Sequence, residues 1–202
     1  MDLKSFFITV IIFAMLNLIF TSAGVVIATP AEAIGGLRAV NSILPKLLQL
    51  VSVGLVVGIS SIVVLRKFNL ELALSGIILT PLLDIDHLPT IFGVPQPIRP
   101  AHSFLFMIVV SLTVYMALKR VDLSLMTISA SMVHLGADTS LFPLLSPLTL
   151  ELYAMDELGH VGLFAVAVGT AILAGYAASK AEKSAAKRLM NVPNAPKVGL
   201  DS

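Results

Sequence analysis

Six apolar stretches, most of them long enough to cross a lipid bilayer, dominate this chain and leave little room for a soluble fold. The first runs from Phe6 to Ala28, after Lys4, and suffices for a hydrocarbon core of roughly 30 Å. Others follow at about Leu47–Leu65, Asn69–Leu83, Ser103–Leu118, Leu123–Leu141 and Val161–Ser179. The third and fourth are short for the core. Only 12 % of the residues are charged and 57 % are hydrophobic, whereas soluble domains carry about a quarter charged residues. The pattern predicts an all-α polytopic membrane protein, about six transmembrane helices in one bundle over residues 1–180. Residues 181–202 read as a basic cytoplasmic tail that starts helical and then loses any pattern.

The "ATPAEA" after the first run also resembles a signal-peptidase site. An uncleaved helix is the preferred reading, because secretory apolar cores usually hold about 7–15 residues. The linker "IGGLRAVNSILPK" has an apolar face and reads as interfacial. Orientation follows from Lys and Arg. If the six spans alternate, Lys4, Arg66, Lys67, Lys119, Arg120, Lys180, Lys183, Lys187, Arg188 and Lys197 share one side. Only Arg38, Lys46 and Arg99 fall on the other. Both termini are therefore predicted cytoplasmic. A net charge of +1, with no Trp and no basic groove pattern, gives no support to a nucleic-acid partner. The absence of Cys removes disulfides, thiolate metal sites and cysteine nucleophiles.

Against this apolar background, "DIDHLPTIFGVPQPIRPAHSF" (Asp84–Phe104) concentrates two histidines, two aspartates, an arginine and four prolines on the outward side. Counting at 1.5 Å per helical residue from each basic inner flank puts Asp84 and His102 at about 25 Å. The same count puts His134 at about 21 Å, Asp138 at about 27 Å and His160 at about 30 Å. Four helices would thus deliver His or Asp to one level, just under the outer interface. Asp84, Asp86 and His87 offer oxygen and imidazole donors of the kind that zinc, manganese or iron favours. His134 and Asp138, spaced i,i+4, share a helix face, and an intramembrane Asp is costly enough to be a functional candidate. His102 and Ser103 at a helix start, with Arg99 nearby, suit an anion. "DELGH", with Asp156, Glu157 and His160, reads as a solvated loop ahead of a ligand set. Small residues in "VAVGTAILAGYAAS" read as close helix packing.

These residues resemble the membrane-bound metal-dependent hydrolases, a group of LexA-regulated inner-membrane proteins. Their pattern is an "LPDxDH" segment, an "HRGxTHS" segment and then "HxxxD" before an apolar turn. "TPLLDIDH" matches the first, "RPAHS" the end of the second, and "HLGAD" the third, over roughly Leu79–Pro147. The chain departs at Ile98, where the pattern has His, and at Pro100, where it has Gly. A histidine usual near the family's N-terminus is absent. The resemblance implies a distant link to phosphoester-cleaving enzymes of the zinc phospholipase C type.

The reading that results is a metal-dependent hydrolase at the outer membrane surface. Asp84, Asp86, His87, His102, His134 and Asp138 would hold one or two divalent cations, zinc ahead of manganese or iron, with His160 as a further candidate ligand. Asp84 or Asp86 would act as general base, and Arg99, with Ser103 beside it, would bind an anionic head group. The substrate would be a membrane lipid or lipid-linked phosphoester. A proton or metal-ion transporter is the rival, since intramembrane His and Asp serve there too. A degenerate protein that only binds a metal is the third reading. Nothing in the sequence specifies an oligomeric state.

Overall fold

The apolar runs fold as helices: α1 (Leu3–Ile27), α2 (Ile43–Ile62), α3 (Leu70–Leu82), α4 (Phe104–Leu118), α5 (Val121–Asp138) and α6 (Glu157–Met190). The computed structural model describes residues 2–27, 43–63, 68–87, 89, 99–138, 141–149 and 151–190. Most of the interfacial linker, the outer loop around Ile98 and the last residues of the basic tail lie outside them. Two 3-10 turns, Leu83–His87 and Pro100–His102, flank that outer loop. The basic extension after Lys180 is a direct continuation of α6 as far as Met190.

One element departs from the expectation. The fifth apolar run does not stay helical to Leu141; α5 ends at Asp138, and an antiparallel hairpin joins it to α6. Its strands, β1 (Leu141–Pro143) and β2 (Leu152–Ala154), pair Leu141 with Ala154 and Pro143 with Leu152. Pro143 and Pro147 lack the N–H that a helix needs, so the chain turns there. The fold is otherwise all-helical among the described residues.

Local chemistry sets the helix ends. Asn69 caps α3, its side chain accepting from the Leu72 N–H at 3.2 Å. Ser103 caps α4 in the same way, accepting from the Phe106 N–H at 3.1 Å. Only Lys119 and Arg120 separate α4 from α5, and Lys119 takes the left-handed conformation (φ 54°) that closes a helix C-terminus.

Large apolar side chains lie both inside the bundle, as with Phe13, Leu72, Leu79 and Phe106, and over its outer faces. The interior between helices is rich in small and polar residues, among them Ala167, Ala171, Ala174, Ser75, Ser129 and Thr127. Ser111 and Ser124 each donate to the other's carbonyl at 3.0 Å, joining α4 to α5. Ser129 donates to the Ala167 carbonyl at 2.6 Å, joining α5 to α6. Large apolar side chains meanwhile face outward along α1 (Phe7, Ile11, Met15, Ile19) and α4 (Ile108, Leu112, Met116). Two helical stretches, Leu3–Gly24 (mean hydropathy 2.3) and Glu157–Arg188 (2.0), are long and apolar enough to cross a membrane.

Close backbone approach holds α2 between its neighbours. A Cβ on Gly58 would meet the Ala73 carbonyl oxygen of α3 at 2.7 Å, and one on Gly175 would collide with the Ser61 carbonyl oxygen. Gly175 belongs to the stretch read as close packing, and it packs as expected; Gly169, in the same stretch, faces open space. Gly175→Leu is accordingly expected to separate α2 from α6 and cost at least about 1–3 kcal/mol. Gly169→Leu should leave the melting temperature in detergent nearly unchanged. Comparing the two variants checks the crossing.

At the end of the bundle where α4 turns into α5, Arg120 joins two nearly buried carboxylates. Its guanidinium donates to Asp122 at 2.6 and 2.8 Å and to Glu71 at 3.3 and 3.4 Å. The Asp122 hydrogen bonds, followed by the charges of Asp122 and Glu71, hold Arg120 further into its charged range despite partial burial. A cavity of about 670 Å³ opens beside them, lined also by Asp2 and Glu182.

Candidate metal centre

The opposite end of the bundle is built where α3 stops being an α-helix. Pro81 sits in its last turn, and from Leu83 the chain tightens into a 3-10 turn carrying Asp84, Asp86 and His87. Helix ends leave carbonyls without partners inside the helix, and other elements capture these. Asn17 of α1, buried in an otherwise apolar stretch, donates its amide to the Leu83 carbonyl at 2.8 Å. The Thr80 carbonyl lies 2.7 Å from Nδ1 of His134 on α5. Phe13, Phe20 and Phe106, stacked edge to face, form part of the apolar wall at this end.

Three donor atoms converge from three separate segments. His102 Nε2 and His134 Nε2 are 3.0 Å apart. Asp84 Oδ1 lies 3.5 Å from the His134 nitrogen and 3.7 Å from that of His102. Tetrahedral zinc with bonds of about 2.0–2.1 Å would place its ligands about 3.3–3.4 Å apart. The triangle therefore has the size of one face of such a site. Two histidines and one carboxylate are also a ligand set used by catalytic zinc, which keeps a fourth position open.

The outer hydrogen bonds fit the same role. A carbonyl only accepts, so His134 must donate to Thr80 from Nδ1, leaving Nε2 to face the cluster. His102 does likewise through Nδ1, 2.7 Å from Oδ2 of the fully buried Asp86. Carboxylate or carbonyl partners of this kind fix the tautomer and orientation of metal-bound histidines. The two Nε2 atoms, 3.0 Å apart, can share a proton carried by one ring or, with both lone pairs free, turn together toward one cation. Asp86→Asn should keep the fold and lower cation affinity by about 10–100-fold, measurable by competition with a chelating dye.

Asp84, Asp86 and His87 form a second donor group that shares Asp84 with the first. His87 Nε2 is 3.3 Å from Asp84 Oδ1. The other oxygen of Asp86, Oδ1, is buried and has no hydrogen-bond partner among the described residues. Arg99 already brings positive charge to this group, with Nη2 2.7 Å from Asp84 Oδ1 and Nε 3.5 Å from Asp86 Oδ2.

The other candidates are placed differently. Ser103 is buried and committed to structure: besides capping α4, its hydroxyl faces the carbonyls of Pro100 at 2.7 Å and Ser146 at 3.0 Å. His160 does not join the converging donors; its Nδ1 contacts the Gly136 carbonyl at 2.9 Å. "DELGH" is the start of a helix rather than a loop, with Asp156 capping α6 by accepting from the Gly159 N–H at 2.8 Å. Asp138 is the last residue of α5, and its side chain lies outside the described residues. Two contributors escape the motif reading of the sequence. Asn17 carries a signal, as an amide inside an apolar run; the Thr80 carbonyl carries none beyond the neighbouring Pro81. No protein-family model, curated protein or solved structure matches this chain.

Proposed function

We propose that this chain is a membrane-embedded, metal-dependent hydrolase whose site opens on the outer face. The observation that carries the reading is the triangle of Asp84 Oδ1, His102 Nε2 and His134 Nε2, each edge 3.0–3.7 Å. The apolar outer surfaces of α1 and α4 support the six-span arrangement, since soluble monomers rarely expose such broad apolar patches. The motif resemblance adds the hydrolytic class.

Asp84, His102 and His134 would hold the principal cation, with Asp86 and His87 available to a second. A divalent cation there supplies Lewis-acid activation of water and of a phosphoryl or carbonyl oxygen. The chain's own residues do the rest. Asp86 fixes His102, and the Thr80 carbonyl fixes His134, so the ligands need no reorganisation. Arg99, about a quarter exposed, orients an anionic group beside Asp84. A carboxylate oxygen of Asp86 or Asp84 not engaged by the cation takes the proton from the attacking water. A lipid or lipid-linked phosphoester is the substrate class that matches a site near the outer membrane surface.

Transport is the competing reading. A proton path from Glu71 to His134 would use the hydroxyls of Ser75 and Thr80 along α3. Both instead donate to carbonyls of their own helix, at 2.8 Å each, which speaks against that proton route. The test is to purify the full chain in detergent, measure metal per chain, and assay phosphodiesters and phospholipids. Stoichiometric zinc, manganese or iron with metal-dependent turnover is expected. Lack of stoichiometric metal sinks the proposal, and bound metal without turnover moves the balance to transport or a structural role.

A further inference from the structure

The hairpin between α5 and α6 has no part in the site just described, yet it packs against it. β1 contacts the Pro100–His102 turn, and the Ser146 carbonyl in its loop accepts from the hydroxyl of Ser103, next to His102. The hairpin exposes Leu145, Leu148 (75 %), Leu152 and Tyr153, the last two on opposite faces of β2. On the first turns of α6, next along the chain, Leu158 (77 %) and Val161 are also exposed.

With α6 crossing the membrane, its charges set the depth of these residues. Glu157 opens that helix, and Lys180 is the next residue with a fixed charge. They are separated by 180 − 157 = 23 residues, about 35 Å at 1.5 Å per residue. That distance spans a hydrocarbon core of about 30 Å with each charge just inside a headgroup layer. The hairpin ends three residues before Glu157, which puts it at the level of the membrane surface rather than far above it. Tyr153, whose hydroxyl donates to Glu151 at 2.9 Å, supplies the aromatic and polar rim typical of that depth.

We infer that the hairpin is an interfacial element, seating Leu145, Leu148, Leu152 and Leu158 in the outer-leaflet lipid beside the metal cluster. Its occupant is the lipid surface itself. The consequence is lateral entry: a substrate reaches Arg99 and the histidines from within the bilayer. This inference rests on the membrane reading of the bundle.

The chain contains no Trp, so single substitutions give clean fluorescent reporters. Leu148→Trp on the hairpin and Leu173→Trp on the exposed apolar face of α6 would be reconstituted separately into phosphatidylcholine vesicles. Dibrominated phosphatidylcholine then probes contact with acyl chains, and aqueous iodide probes contact with water. Both reporters are expected to emit at blue-shifted wavelengths and to lose most of their emission to the brominated lipid. Iodide should have little effect on either. If lipid quenches only the α6 reporter while iodide quenches the hairpin reporter, the hairpin inference fails and the bundle reading stands. If neither responds to lipid, the membrane reading fails with it. Shielding of the hairpin reporter from both quenchers means that protein covers the hairpin, which also overturns the proposal.

Discussion

Replacing His134 with alanine is expected to abolish stoichiometric metal binding while leaving the bundle folded. The imidazole provides one of three converging donors, and its Nε2 lies 3.0 Å from that of His102. Losing only an outer hydrogen-bond partner costs about 10–100-fold in metal affinity, so losing a ligand should cost more than about 100-fold by the same scale. His102→Ala should behave alike, because it removes the matching nitrogen and leaves buried Asp86 without its hydrogen-bonding partner. His160→Ala is the informative contrast. Its ring faces the Gly136 carbonyl, so metal content measured by elemental analysis should stay near that of the unaltered protein. Loss of metal in His160→Ala but not in His134→Ala would mean that the cation is held elsewhere.

The second large effect lies at the other end of the bundle. Arg120→Ala leaves Glu71 and Asp122, with side chains about 6 % and 5 % exposed, without their shared cation. Breaking a buried ion pair from one side costs about 3–5 kcal/mol. The lower end applies here, because Arg120 itself is 27 % exposed beside a cavity. A drop of that size should appear in thermal unfolding in detergent. Adding Glu71→Gln and Asp122→Asn to the same chain should recover much of it, since neutral amides do not need the guanidinium. Metal content should not change in either variant, which separates this end from the metal cluster.

Residue counting along the helices is enough to bring Asp84, His102 and His134 to one level, because a regular helix converts sequence distance into height. It is not enough for His160. Height says nothing about the direction in which a side chain points around its helix, and the ring of His160 contacts the backbone of α5 instead. Arg120 illustrates a different blind spot: a basic residue flanking an apolar run speaks in the sequence only for orientation. Its pairing with Glu71 joins positions 49 apart in sequence, which no local pattern reveals. Composition hides the hairpin, since "LFPLLSP" is as apolar as the helix before it. The contribution of Thr80 comes from a backbone carbonyl, which side-chain motifs cannot encode.

The bond between Asn17 and the Leu83 carbonyl spans 66 residues, and it bears on how the protein is made. α1 is the earliest of these helices to leave the ribosome, yet the backbone group it holds does not exist until α3 has been synthesised. The 3-10 turn that carries Asp84 and Asp86 therefore takes its final shape late, when an early helix meets a later one in the bundle. A chain cut after "ATPAEA" would lose Phe13, Asn17 and Phe20 together, and with them one side of the candidate metal site. In the full-length fold the first helix supports one side of this cluster, so its removal would be felt at residues that it does not itself supply.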